Sequence, residues 1–174
     1  MDRTHLPLVT IFGASGFVGS QVVQVLARRG YRIRAAVRRP DLAGHLRPLG
    51  DVGQVVPIQA NLRFPESVAR AIEGAGVVIN LVGVGIERGP QRFESVNVDG
   101  ARTVARAAAA AGAEVLVHQS ILGADRDSPS AFARSRARGE EAVREAFPDA
   151  VITRPSLIFG EGDGYFTQMA SLAR

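Results

Sequence analysis

Cysteine, lysine and tryptophan are all missing from this chain of 174 residues. Without cysteine there is no disulfide, no thiolate nucleophile and no cysteine-ligated metal, and the redox compartment leaves no mark on the sequence. Histidine is scarce: His5, His45 and His118 stand far apart without metal-ligand spacing, so no metal is expected. With lysine gone, all 21 basic residues are arginine, and 17 acidic residues leave a net charge of +4. The arginines are scattered and only 6% of residues are aromatic, so the charge comes without a stacking platform and nucleic acid is not an expected partner. No apolar run approaches a membrane span, and Met1 to His5 lacks the apolar core of a signal peptide. Direct membrane insertion is therefore not expected from these residues.

What the chain does have is glycine at chosen places. Leu8-Val9-Thr10-Ile11-Phe12 runs into Gly13-Ala14-Ser15-Gly16-Phe17-Val18-Gly19, and a helical pattern follows from Phe17 to Arg29. Strand, glycine turn and helix in that order form a cradle for a dinucleotide. Gly13 permits the tight turn, Gly16 lets backbone approach the pyrophosphate, and Gly19 packs helix on strand. Ser15 lies in the turn, while Phe17 and Val18 open a helix whose free N–H groups and positive dipole end suit phosphate.

Strand-like segments at 8–12, 31–37, 55–59, 77–82, 115–119 and 150–154 alternate with helical patterns at 17–29, 66–73, 91–111 and 130–147, plus a short turn near 41–47. This rhythm predicts an α/β fold, a doubly wound parallel sheet of the Rossmann kind, over residues 1–160. Val77 to Val82 reads as a strand buried on both faces. In the 91–111 helix, Phe93, Val96, Thr103, Val104 and Ala107 are expected on one face, with Gly112 ending it.

The end of the second strand bears on nucleotide choice. An acidic residue there would accept from the ribose hydroxyls of NAD(H). Arg38-Arg39-Pro40 stands instead, and arginine can grip a 2′-phosphate with a bidentate fork. NADP(H) is thus expected ahead of NAD(H). Asn61, after the third strand, could meet the adenine, and Gly83 and Gly85 leave room for backbone near the cofactor.

Together with Asn80-Leu81-Val82-Gly83, Asn97-Val98-Asp99-Gly100, Val117-His118-Gln119-Ser120 and Arg154-Pro155-Ser156-Leu157-Ile158-Phe159-Gly160, these phrases resemble the extended and atypical short-chain dehydrogenase/reductase superfamily, NmrA-like proteins included. The nearest resemblance is to the NAD(P)H-binding accessory subunit of respiratory complex I and its bacterial relatives. The resemblance implies further cofactor contacts from Leu62, Val82, Gly83, Ser120, Arg136 and Pro155. It also implies a longer protein, with residues 161–174 opening an incomplete C-terminal substrate or cap region.

Active members of that superfamily use a Ser, a Tyr and a Lys four residues after the Tyr. Ser120 matches the serine, but Phe132 and Arg136 stand at the other two positions. Phenylalanine has no proton to give, and no other alignment supplies a lysine. The resemblance then implies a dinucleotide-binding accessory subunit, cytoplasmic and peripheral to the inner membrane through other complex I subunits. Two alternatives stay open: a free-standing NmrA-like reductase or epimerase, with His118 as proton donor, and an NADPH redox sensor. Arginines interleaved with Glu140, Glu141 and Glu145 are expected to form a polar subunit interface.

Overall fold

A computed structural model describes residues 6–160, 162–164, 166, 169 and 172. Six parallel strands form one sheet: β1 (Val9–Phe12), β2 (Ile33–Val37), β3 (Val55–Gln59), β4 (Val77–Asn80), β5 (Val115–Gln119) and β6 (Val151–Thr153), in the order β3-β2-β1-β4-β5-β6. The chain winds outward from β1 in one direction, then restarts at β4 on β1's other side. That reversal makes a doubly wound sheet and opens a crevice at the carboxyl ends of β1 and β4. Val9 pairs with both Ile33 and Val77, which fixes the register there.

Helices α1 (Phe17–Arg28), α2 (Pro65–Ile72), α3 (Asp99–Ala110) and α4 (Ala131–Ala146) cover the sheet. One face packs Phe12, Val78 and Leu116 against Val68, Ile72, Val104 and Val143 of α2, α3 and α4. The other packs Val9, Ile11 and Ile33 against Val23 and Ala27 of α1 and Leu46. Each large side chain fully buried there is worth about 1.5–3 kcal/mol. Among the described residues the second face is covered only over its first strands: Val115 and Val151 lie 38% and 52% exposed. For the same reason Val77 and Ile79 are half-buried, so β4 is not sealed on both faces as its sequence suggested.

The short turn of helix expected near 41–47 is present as a pair of 3₁₀ turns, Pro40–Leu42 and Gly44–Leu49. One other expectation changes. The 91–111 helix is broken by a π-helical turn at Glu94–Val98 before α3 begins. A π turn adds one residue to the helical count and rotates the rest of the helix by about a quarter turn. The buried stripe of α3 is accordingly Ala101, Val104, Ala105 and Ala108, with Thr103 and Ala107 at its margin. Much of the helical pattern from Tyr165 to Ala173 lies outside the described residues.

Candidate functional site

The carboxyl ends of β1 to β4 surround a cleft of about 290 Å³. At its floor Gly13 adopts φ +81°, a left-handed backbone that side chains disfavour. A Cβ there would stand 3.3 Å from the Leu81 carbonyl carbon and Val82 Cγ2, so the turn after β1 lies tight against the chain leaving β4. Gly19 is fixed by packing, since a Cβ would overlap the Gly13 carbonyl and Ala14. α1 starts after Gly16 with no side-chain cap and no acidic residue in its first turn, and its first bond runs from Ser20 N–H to the Gly16 carbonyl. The N–H groups of Phe17, Val18 and Gly19 are left facing back toward Ser15 and Gly16, a fit for an anion.

At the outer end, β2 delivers Arg38 and β3 delivers Asn61, Leu62 and Arg63 to the same cleft. The β3 turn is held firmly: Ser67 Oγ accepts from Asn61 N–H at 3.0 Å and donates to the Asn61 carbonyl, while Asn61 Oδ1 accepts from Arg63 N–H at 3.2 Å. The Asn61 amide nitrogen remains for a ligand. No acidic residue lines the cleft among the described residues. An uncapped helix, a glycine floor and a cationic mouth in a row fit a dinucleotide: pyrophosphate at Gly13–Gly16, adenosine toward Arg38 and Asn61.

Of the residues singled out by sequence, the cleft collects Gly13, Ser15, Gly16, Arg38, Asn61, Leu62, Val82 and Gly83. Arg39 does not join Arg38; it makes a bidentate pair with Asp41, Nε to Oδ1 at 3.0 Å and Nη2 to Oδ2 at 2.7 Å. The side chains of Phe17 and Val18 line a separate apolar hollow with Ile158 and Phe159. Pro155 sits beyond β6, its carbonyl accepting from Leu122 N–H. Gly85 faces open space.

Ser120, Phe132 and Arg136 lie behind the cleft wall. Phe132 packs on Phe93, ring centroids 5.8 Å apart. Arg136 is buried on α4, donates to the Gln119 carbonyl, and occupies the space that a Cβ on Gly83 would need. Gly83 thus makes room for Arg136 as well as lining the cleft. Arg136 Nε and Ser120 Oγ are buried with no partner at hydrogen-bonding geometry. One turn on, Glu140 is only 2% exposed and receives Arg154 in a bidentate pair, Nε to Oε1 at 2.9 Å and Nη2 to Oε2 at 2.6 Å. Glu140 is therefore an internal anion, not part of a polar surface.

Burial raises the Glu140 pKa, but Arg154, the nearby Ser120 hydroxyl and Arg144 outweigh it and hold the carboxyl below its usual range. Burial lowers the Arg136 pKa, partly offset by Glu140. His118 is pushed down to about 4 by burial and by the Arg136 charge. Asn80 Oδ1 accepts from Val82 N–H, so its NH₂ faces His118 Nδ1 at 3.1 Å, which makes Nδ1 the acceptor and leaves the ring proton on Nε2. Near pH 7 the fold thus holds His118 as a neutral imidazole with one ring proton, on Nε2.

Sequence reasoning gave Arg63 no place in the site, quoted Asn97 and Arg154 only within motif phrases, and put Glu140 on the surface. Asn97 clamps the loop after β4: its Oδ1 accepts from Val84 N–H, and its Nδ2 donates to the Val84 carbonyl and Ser135 Oγ. Glu140 could have been found from its i+4 relation to Arg136 on one helix face. Arg63 carried no signal beyond following Asn61 and Leu62.

A family model described as NAD(P)H-binding matches residues 13–156. The mitochondrial NADH dehydrogenase [ubiquinone] 1 alpha subcomplex subunit 9 of Dictyostelium discoideum is 36% identical over 168 residues, covering 96% of this chain and 47% of that protein. The ceramide reductase of Caulobacter vibrioides is 41% identical over 156 residues, 90% of this chain and 48% of that protein. This chain thus spans about half the length of the curated relatives it matches. Among solved structures, a putative NAD-dependent epimerase/dehydratase from Bacillus halodurans superposes with a TM-score of 0.77 at 21% identity, covering 91% of this chain and 74% of that one.

Proposed function

The chain belongs to the NAD(P)H-binding family, and on that premise we propose that it holds NADP(H), in preference to NAD(H), as a non-reacting cofactor in an accessory subunit of respiratory complex I. The observation that carries this reading is the division of the site. The binding cradle is open and cationic at Arg38, whereas the positions of the superfamily's Tyr and Lys hold Phe132 and Arg136, both turned to packing. A nicotinamide cofactor supplies a hydride when bound. Gly13, Ser15 and Gly16 with the start of α1 would hold its pyrophosphate, Asn61 and Leu62 its adenine, Val82 and Gly83 its inner end. A positioned acid contributes roughly 10²–10⁴ in rate, and Phe132, at the tyrosine's position, has no proton to give. Bound nucleotide would then stabilise the subunit by mass action without turning over.

No helix among the described residues is long and apolar enough to cross a membrane; attachment at the membrane would run through protein partners. A second reading, a reductase, is favoured by the 41% identity to a ceramide reductase. Calorimetric titration of the full-length protein should give NADPH at least about tenfold tighter binding than NADH, with Arg38→Asp narrowing the gap. Equal affinities overturn the nucleotide assignment. Affinity purification after mild detergent extraction should recover complex I subunits with the protein. Recovery alone, with NADPH oxidised in the presence of a ceramide-type ketone, establishes the reductase instead.

A further inference from the structure

We propose that Arg63 is the second jaw of a clamp that closes, with Arg38, on the 2′-phosphate of the cofactor's adenosine. The proposal rests on the NADP(H) reading above and adds to it a specificity residue on a different strand. Arg38 and Arg63 are the only charged residues lining the cleft among the described residues, and both are cationic. They leave the carboxyl ends of neighbouring strands: Val37 and Gln59 are register partners, and Ala60 N–H donates to the Val37 carbonyl at 2.8 Å. Adjacent strands lie about 4.8 Å apart, so two long arginines rising from their ends can reach one phosphate from two sides.

Neither guanidinium is committed elsewhere. Arg39, next in sequence to Arg38, is neutralised by Asp41, and Arg102 and Arg138 likewise have acidic partners, but among the described residues neither Arg38 nor Arg63 makes an ion pair. Two uncompensated cations at one end of a cleft that holds no acid create a local field for a dianion. The Arg63 backbone is anchored by Asn61 and Ser67, and its guanidinium lies over the Phe64 ring, 5.7 Å from the centroid. That contact restrains the side chain beforehand, so less conformational entropy is lost when it grips an anion. A competing use of the same guanidinium, stacking on adenine, would draw on the base and not on the phosphate.

The two uses separate with a pair of probes that differ only in the 2′-phosphate, adenosine 2′,5′-bisphosphate and adenosine 5′-monophosphate, titrated into the full-length protein. Arg63→Ala should weaken the bisphosphate about tenfold and the monophosphate less than twofold, with the bisphosphate loss shrinking as salt rises. Arg63→Lys, which keeps the charge without the fork, should fall between. Equal losses for both probes, or no loss for either, overturn the clamp while leaving the NADP(H) reading in place. A wild-type protein that binds both probes equally overturns both. Thermal unfolding of each variant without ligand checks folding, and exposed Arg63 should leave it unchanged.

Discussion

The two ends of the nucleotide cleft are built on opposite plans. The outer end is lined by backbone and by cations left unneutralised: Gly13, Gly16, Arg38, Arg63. Behind the inner end, side chains fill the space and most of their polar groups are paired, with Arg136 against the Gln119 carbonyl, Glu140 clasped by Arg154, and Asn80 on His118, while Ser120 Oγ and Arg136 Nε are left without a partner among the described residues. The outer end keeps its cations without acidic partners, whereas the inner end pairs its carboxylate and most of its cationic groups internally. The difference lets affinity and structure be probed separately, because the two sets of residues sit at different strand ends. Substitutions at the inner end should therefore register as stability and those at the outer end as affinity.

The largest effect is expected from Glu140→Ala. It leaves Arg136 buried without its nearest anion and Arg154 without its bidentate partner. Breaking a buried pair in this way typically costs about 3–5 kcal/mol, and Arg154's exposed side puts this case at the lower end, about 3 kcal/mol. Urea unfolding measures it. Glu140→Gln, which keeps hydrogen-bond acceptors, should lose less. If instead the variant keeps its stability and loses NADPH affinity, the inner end belongs to the ligand and the division fails.

Acid sharpens the same contrast. His118 titrates at about 4 in the folded protein against an ordinary 6.5, so its neutral form is the one the fold selects. Above pH 6.5 both states leave it neutral and stability is full. Between 6.5 and 4 the unfolded chain binds a proton that the folded chain refuses, and stability falls by up to about 3 kcal/mol. Glu140, lowered in the fold, adds a loss in the same direction below its ordinary range near 4.5. His118→Gln should start lower at pH 7 yet stay flat from 6.5 to 4.5. An unchanged acid limb in that variant would assign the titration to other groups.

How much of this was legible in the sequence depends on how local the cause was. The glycine turn is set by local chemistry within seven residues, so Gly13's turn and Gly19's packing could be read, and the doubly wound parallel sheet followed from the βαβ rhythm. The phase of α3 was not legible: one π turn at Glu94–Val98 rotated its buried stripe, and nothing in Glu94-Ser95-Val96-Asn97-Val98 marks that turn. Glu140 was read as surface because Arg134 to Glu145 carries the charge density of a solvated helix. Its charge is answered by Arg154, which the winding of the sheet brings to it across 14 residues. Arg39 looked equivalent to Arg38 until Asp41, two residues on, proved the nearer anion.

The smallest expected effect falls where the two ends meet, at Gly83. From its sequence position this glycine makes room for a cofactor; in the fold it lines the cleft on one side and gives Arg136 its space on the other. A methyl group added there meets the Arg136 Nη1 end of the side chain rather than backbone, so the neighbour can give, but only by disturbing a buried cation already bonded to the Gln119 carbonyl. Gly83→Ala should therefore cost about 1–2 kcal/mol, as overpacking usually does. The cycle with Arg136→Ala decides whose glycine it is. If it serves Arg136, the two substitutions are strongly non-additive: in the Arg136→Ala background the added methyl has nothing to strike, and its stability cost falls to within about 0.5 kcal/mol of zero. If it serves the cofactor, the stability costs add and NADPH affinity falls in both backgrounds. The first outcome extends the structural end of the site up to the cleft wall itself; the second moves the boundary back behind it, and Gly83 joins Gly13 and Gly16 in the cradle.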